Sequence, residues 1–337
     1  MKLIRYISIF IVMLTASYSF AQSWTGQAYE LYKAKDFESA KTAIDSAINS
    51  VERFDSQTWQ LRGIIYRNIS NGDQIYYREI ALESFVHAKK IDSTGLYTAK
   101  INEYIRHTLV RYYNDAVTLL IEEGEFEKSE DSYNIYLREY RKLVDPGFNF
   151  TEKNINYYNA VGSEYLKKVE IVEPSKKNAL REKAIEYSLK VLEFDSLDFK
   201  ANFNIGIVYY NMGVDYVLTI DPTETTLEQL ILNQKKSEEA FLKALPYLHR
   251  AEQLQPNNKA VQEALMGCYY GLNNNELYLK YQKLVDQHNI GTYLERHNTH
   301  PNDIENVRQL VRVYTQTLID LEQAEKFKKI LYTLENP

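Results

Sequence analysis

The sequence predicts an all-α protein, an αα-hairpin solenoid of about six to seven repeats, several with elongated helices. Three observations carry that prediction. Of the 337 residues, 45% are hydrophobic, enough for a packed core and too many for a disordered chain. Only 12 Gly and 7 Pro occur, too few to punctuate the many tight turns of a sheet-rich fold. Small and large residues also recur at fixed helical spacing, in successive pairs of segments.

The N-terminus is a separate object. Lys2 and Arg5 precede an apolar run from Tyr6 to Leu14, and Ser19-Phe20-Ala21 stands before Gln22. A basic start, a short apolar centre and small residues three and one before a cut predict a secretory signal peptide over 1–21, cleaved after Ala21. The run falls short of the ~20 apolar residues that span a bilayer, and no second long apolar run follows. The expected mature protein is therefore exported, periplasmic or secreted, without stable membrane insertion. The whole chain has 40 Lys and Arg against 46 Asp and Glu, net −6, and loss of Lys2 and Arg5 takes it to −8. An acidic chain is not expected to hold nucleic acid, whose phosphates draw their affinity from Lys and Arg. Cys268 is alone, so packing rather than a disulfide must hold the fold.

The first hairpin sets the pattern. Trp24, Ala28 and Leu31 share one helical face; Phe37, Ala40, Ile44 and Ala47 share another; Lys35-Asp36 turns between them. Trp59, Gly63 and Tyr66 then pair with Ala81, Phe85 and Ala88. Tyr113, Val117 and Leu120 pair with Ser129, Tyr133 and Tyr136 across a turn at Gly124 and Phe126. Tyr158, Gly162 and Tyr165 pair with Ala184, Ser188 and Val191, and Asn202, Gly206 and Tyr209 with Ala244, Leu248 and Ala251, closed by Pro256. Gln262, Met266 and Tyr269 pair more weakly with Tyr278, Gln282 and Val285. A last hairpin, near Asp303–Thr317 and Glu322–Leu334, has the atypical pattern of a cap whose outer face meets water. Small residues let two antiparallel helices approach, and the large ones fill the space between them.

The two small slots lie 12 residues apart in the first, third and sixth pairs, but 18, 22 and 38 apart in the second, fourth and fifth. The excess predicts longer helices rather than inserted domains. Asp221-Pro222-Thr223-Glu224 reads as a helix start, with Leu227 to Leu254 helical after it. Leu96 to Tyr112 keeps helical spacing and extends the first helix of the third pair. Asp145-Pro146-Gly147-Phe148 is the expected irregular loop.

This small-and-large pattern over residues 24–290 resembles the tetratricopeptide repeat, with Gly63, Gly162 and Gly206 at one recurring slot. The leader, a stretched penultimate hairpin and the segment Ala244 to Leu248 resemble repeat proteins of the bacterial envelope. The expected organisation is a signal peptide over 1–21, a tetratricopeptide solenoid over 22–290 and a capping hairpin over 291–337.

Reactive constellations are not evident. There is no phosphate-binding glycine loop, Gly-x-Ser-x-Gly elbow or His-Glu-x-x-His helix. His288, His297 and His300 lie near Glu295 and Asp303, but Pro301 predicts a loop there, with Asn302 capping the next helix, rather than a tetrahedral metal site. Cys268 reads as a buried small hydrophobe. Glu122-Glu123 and Glu238-Glu239 read as solvated faces. Asp92-Ser93-Thr94 and Asp195-Ser196-Leu197 read as turns, with a resemblance to an O-glycosylation acceptor pattern. No catalytic residue, cofactor or metal is expected.

The resemblance implies a groove lined by the first helix of each pair. Those slots hold Thr25, Tyr29 and Tyr32; Gln60, Ile64 and Arg67; Asn114 and Thr118; Asn156, Asn159 and Ser163; and Phe203, Ile207 and Tyr210. A nearly uncharged set of amides and rings suits an extended peptide or a partner helix. The expected function is a non-enzymatic scaffold or adaptor for protein or peptide partners in the envelope. A groove-based carbohydrate-binding or hydrolytic component, and an architectural self-associating protein, are the alternatives.

Overall fold

The computed structural model describes residues 23–69, 74–221 and 224–336. The predicted leader and its cut lie outside the described residues, as do Pro222 and Thr223 of the expected helix start. Among the described residues there are fourteen α-helices and no strand. Among these residues no helix is long and apolar enough to cross a membrane.

The chain divides into two compact units, one through Phe150 and one from Thr151. In the first, α1 (Trp24–Lys33) pairs with α2 (Phe37–Ile48), α3 (Ser56–Asn68) with α4 (Gln74–Ile91), and α5 (Thr98–Thr118) with α6 (Phe126–Leu143). A 3₁₀ turn, Val51–Phe54, joins the first two hairpins. Each helix also meets its successor, and α1 reaches α3, so the first helices of the first two hairpins lie side by side. A π turn, Leu119–Glu123, ends α5 at Gly124, whose φ of 68° is the left-handed conformation that suits glycine. The loop after α6 is the one expected. Its Phe148 and Phe150 pack against Tyr140 with ring centroids 4.8 and 5.7 Å away.

In the second unit, α7 (Thr151–Ile171) pairs with α8 (Pro174–Phe194), α9 (Phe199–Leu218) with α10 (Leu227–Leu254), α11 (Lys259–Gly271) with α12 (Asn275–Thr299), and α13 (Ile304–Arg312) with α14 (Leu321–Glu335). A second π turn, Val313–Thr317, follows α13. The surplus residues of the long repeats lie in longer helices, as expected: α7 and α8 have 21 residues each and α10 has 28.

Gly63, Gly162 and Gly206 occupy equivalent contact places. A Cβ built on Gly63 would stand 2.5 Å from Phe85, on Gly162 3.3 Å from Ser188, and on Gly206 2.7 Å from Leu248. In each hairpin the opposing residue is the large-slot residue of the second helix. Where the small slot carries serine, its hydroxyl serves the contact: Ser129 donates to the Ala116 carbonyl at 2.7 Å, so that buried hydroxyl is met.

Three details differ from the sequence reading. Helix α10 begins at Leu227 behind a capping box, in which Thr226 accepts from the Gln229 amide while the Gln229 side chain accepts from the Thr226 amide. Reciprocal satisfaction of two helix-end donors outweighs the Asp-Pro start expected at Asp221. Asp303, not Asn302, caps α13 by accepting from Asn306 at 3.0 Å. His297 is helical, because Pro301 restrains only the residue before it; His300 adopts φ −134° and ends the helix. The boundary expected after residue 290 consequently falls inside α12, which continues through Gly291.

Candidate functional site

Four of the six predicted groove slots of the first two hairpins meet at one open pocket. It holds about 570 Å³ between α1 and α3, and Thr25, Tyr29, Gln60 and Ile64 all line it. Its base is fixed by helix-end chemistry. Glu52, on the 3₁₀ turn, accepts from the backbone amides of Trp24 at 3.0 Å and Thr25 at 2.8 Å, binding the connector to the exposed start of α1. Burial raises the Glu52 carboxyl pKa, but the hydrogen bonds from Thr25 and Trp24 outweigh it and hold the group below its ordinary value. The Thr25 and Thr58 hydroxyls meet at 2.8 Å across α1 and α3, and Asp55 caps α3 by accepting from Gln57 at 2.9 Å.

Tyr29 is about half exposed and offers a ring face, and Gln60 offers an amide, while the Gln57 amide donates to the Tyr97 hydroxyl. Both carboxylates of the pocket already serve backbone N–H groups, and neither Lys nor Arg lines it. The lining can therefore meet the N–H and C=O groups of a chain segment through its amides and hydroxyls. Glu52, Asp55 and Thr58 were not singled out from the sequence. Asp55 directly before Ser56 was a readable cap, whereas the reach of Glu52 to α1 had no local sign.

The remaining slots separate. Tyr32 packs beside Phe37, ring centroids 5.8 Å apart. Arg67 lies over the Tyr104 ring at 5.0 Å, and burial, then the neighbouring Arg111, lowers its pKa. Asn114 and Thr118 are exposed on α5, and Asn156 on α7. Asn159 is buried and donates to Asp198 at 3.2 Å, tying α7 to the start of α9, and Ser163 donates back to the Asn159 carbonyl at 2.8 Å. Phe203, Ile207 and Tyr210 pack against the core around Phe241, Leu248 and Leu265. A Cβ on Gly267 of α11 would stand 2.5 Å from the Tyr210 ring, so at this hairpin the neighbouring helix takes the space that a groove would need.

The histidines face three different surroundings. His288 meets Gln262 at 3.1 Å, His297 stands edge-on to Phe327 with centroids 5.2 Å apart, and His300 meets Thr299 at 2.9 Å. Asp303 is paired with Arg296 at 2.6 Å. Among the described residues no group of three or more His, Cys, Asp or Glu could hold a metal ion. Cys268 is wholly buried, and burial pushes its thiol up to about 12, far from a reactive thiolate. Glu122, Glu123, Glu238 and Glu239 are exposed.

No protein-family model matches the chain, and no curated protein matches it. Among solved structures it is similar to the C-terminal part of a TPR repeat-containing protein from Cytophaga hutchinsonii, at 13% identity and a TM-score of 0.33, over 92% of this chain and 95% of that one. It is similar to human IFIT1, as a dimer with m7Gppp-AAAA, at 13% identity and a TM-score of 0.30, over 93% and 72% of the two chains. It is also similar to the TPR2AB domain of yeast Sti1 in its pHSP90 complex, at 14% identity and a TM-score of 0.24, over 94% and 99%. The hairpin pairing itself rests on the helix contacts described above.

Proposed function

We propose that the chain is a non-enzymatic adaptor that docks a protein or peptide segment in the pocket between α1 and α3, after export of the mature chain to the cell envelope or exterior. One observation carries the reading: the pocket is open, and Thr25, Tyr29, Gln60 and Ile64, from two successive first helices, line it together. Amide and hydroxyl groups there suit the backbone of an extended segment, and the Tyr29 ring supplies contact area at small entropic loss. Export follows from the leader pattern of residues 1–21.

A photo-crosslinking residue placed at Gln60 in cells producing this chain tests the groove. Discrete protein adducts are expected, reduced by Tyr29→Ala and missing when the probe sits at exposed Glu38 on α2. Equal adducts from both positions, or none from Gln60, would sink the reading. N-terminal sequencing tests export: Gln22 should be the first residue, and recovery only of chain beginning at Met1 would contradict it.

One observation favours a second docking surface. At the end where α9 meets α10, Val217, Leu218, Leu227, Ile231 and Leu232 are all exposed, an apolar set suited to self-association. Light scattering over a dilution series decides: a monomer mass throughout removes it.

A further inference from the structure

A second pocket, of about 260 Å³, opens between α4 and α6 above α5, away from the residues of the α1–α3 groove. Its walls are mixed. Leu82 and Val86 of α4 face Ile135 and Leu143 of α6, an apolar channel. Glu79 and Glu83 stand one helical turn apart on α4, where like charges at that spacing repel. Neither has an ion-pair partner among the described residues. Glu139 faces them from α6 together with Arg138 and Lys142, which also line the pocket. These two pair with Glu139 at 2.8 and 3.5 Å and are mostly exposed, which leaves Glu79 and Glu83 as the carboxylates without a counter-charge.

The floor is Tyr112 of α5. The residue is wholly buried, yet its hydroxyl has no hydrogen-bond partner. A buried hydroxyl left unmet is an unfavourable arrangement that a ligand or an ordered water relieves. Burial first, and then Glu79, Glu139 and Glu83, raise the pKa of this phenol, so it stays protonated and keeps a free lone pair. Arg78 acts on it in the opposite direction without outweighing them.

These features select a ligand chemistry. The two unpaired carboxylates disfavour an anion. A purely apolar guest would leave the hydroxyl unmet and the carboxylates unpaired. An aliphatic stem fits the Leu and Ile walls, and a cationic N–H head satisfies both the carboxylates and the phenol oxygen, which can accept a hydrogen bond. We propose that the α4–α6 pocket is a binding site for an ammonium or guanidinium group on an aliphatic stem, with Glu79 and Glu83 balancing its charge and the Tyr112 oxygen accepting from it. Such a group comes from a free small amine or from a Lys or Arg side chain of a partner protein.

The test uses the full mature chain with 13C-labelled tyrosine rings. It is titrated with butylammonium and butylguanidinium, with butyrate and pentanol as controls, and with a Gly/Ser hexapeptide bearing one Lys. The Tyr112 signal is assigned by its loss in Tyr112→Phe. That variant should fold with unchanged or slightly raised stability, since it removes a hydroxyl without a partner. A saturable shift of the Tyr112 signal with both cations and not with the controls is expected. Glu79→Gln/Glu83→Gln should weaken binding at least tenfold while leaving the helical spectrum intact, and Tyr112→Phe should weaken it about three- to tenfold, measured by calorimetry. Tighter binding of the peptide assigns the site to a partner side chain; tighter binding of the small cations assigns it to a free amine. No saturable shift, an equal response to pentanol, or undiminished affinity in the double Gln variant would overturn the proposal. The groove reading would survive any of these results, because none of its residues lines this pocket.

Discussion

The small slot of the hairpins holds glycine at both Gly162 and Gly206, yet the structure predicts opposite outcomes for the same substitution. Alanine in place of glycine in a helix interior gains ~1 kcal/mol of intrinsic helix stability. At Gly162 the new Cβ meets the Ser188 hydroxyl oxygen at 3.3 Å and the Ala184 carbonyl at 3.5 Å, contacts that a small hydroxyl rotation accommodates. Most of the gain survives. At Gly206 the Cβ would stand 2.7 Å from two carbons of Leu248 and 3.3 Å from its backbone nitrogen. Carbon atoms settle at ~3.5–4.0 Å, so wholly buried Leu248 must shift by about 1 Å against its neighbours. Overpacking of that kind costs ~1–3 kcal/mol, which outweighs the propensity gain and leaves Gly206→Ala destabilised by ~1 kcal/mol. For a unit of this size that is a fall of ~2–4 °C in Tm, whereas Gly162→Ala should hold or raise it. Leu248→Ala alone should cost ~2–5 kcal/mol, but in Gly206→Ala/Leu248→Ala the added methyl enters the vacated space and the two effects fail to add by ~1 kcal/mol. Far-UV circular dichroism melts of the mature chain, with hydrogen exchange on α9 to separate the two compact units, measure this. If Gly206→Ala stabilises as much as Gly162→Ala, the close helix approach described here is wrong.

The terminal hairpin should depend on Asp286, which is almost wholly buried and accepts twice from Arg312 at 2.6 Å and from the Thr317 hydroxyl at 2.8 Å. Asp286→Ala should cost ~2–3 kcal/mol, below the ~3–5 kcal/mol of a fully buried pair because Arg312 is partly exposed, and unchanged hydrogen exchange over 304–335 would contradict this. Stability should decline in alkali. The Cys268 thiol, pushed up to about 12 by burial, stays neutral in the folded chain while the unfolded thiol ionises near ~8.5, so its contribution is complete below that pH and is lost as pH rises toward about 12. Cys268→Ala should flatten the fall in Tm between about pH 9 and 11, and rapid thiol labelling of the native chain at about pH 8 would contradict the burial behind it. Glu52 behaves in the opposite sense: its pKa is depressed, so its contribution is present above ~4.3 and is lost as pH falls through the folded value. Glu52→Gln should loosen α1 by ~1 kcal/mol at neutral pH, read as faster amide exchange over 24–33, and the difference from the parent chain should vanish in acid.

Much of the fold was legible because its determinants are local. The slot pattern places Gly63 against Phe85, Gly162 against Ser188 and Gly206 against Leu248 without knowledge of distant contacts, since the two helices of a hairpin are neighbours in the chain. The lengths of α7, α8 and α10 were legible for the same reason, from unbroken helical spacing between slots. Helix ends were less legible. Asp221-Pro222 reads as a start, yet the helix begins behind Thr226, because only the backbone path decides which hydroxyl or carboxylate faces the free amides.

The candidate site was half legible, and the reason lies between hairpins rather than within them. Slots such as Tyr29 and Tyr210 look alike in one repeat, since each is a ring on the first helix. Their fates depend on what the next first helix offers. Beside Tyr29, α3 presents Gln60 and Ile64 at a distance that leaves the pocket open. Beside Tyr210, α11 presents Gly267, a residue without a side chain, and the ring fills the vacancy as part of the core. The interrepeat partner is 57 positions away in sequence, and nothing in the hairpin pattern names it. A glycine outside the recurring small slot was the available sign: where a first helix drops a side chain off-pattern, the ring of the preceding first helix belongs to packing. By that criterion the proposed docking surface lies where successive first helices keep their side chains, as Tyr29, Gln60 and Ile64 do around the α1–α3 pocket.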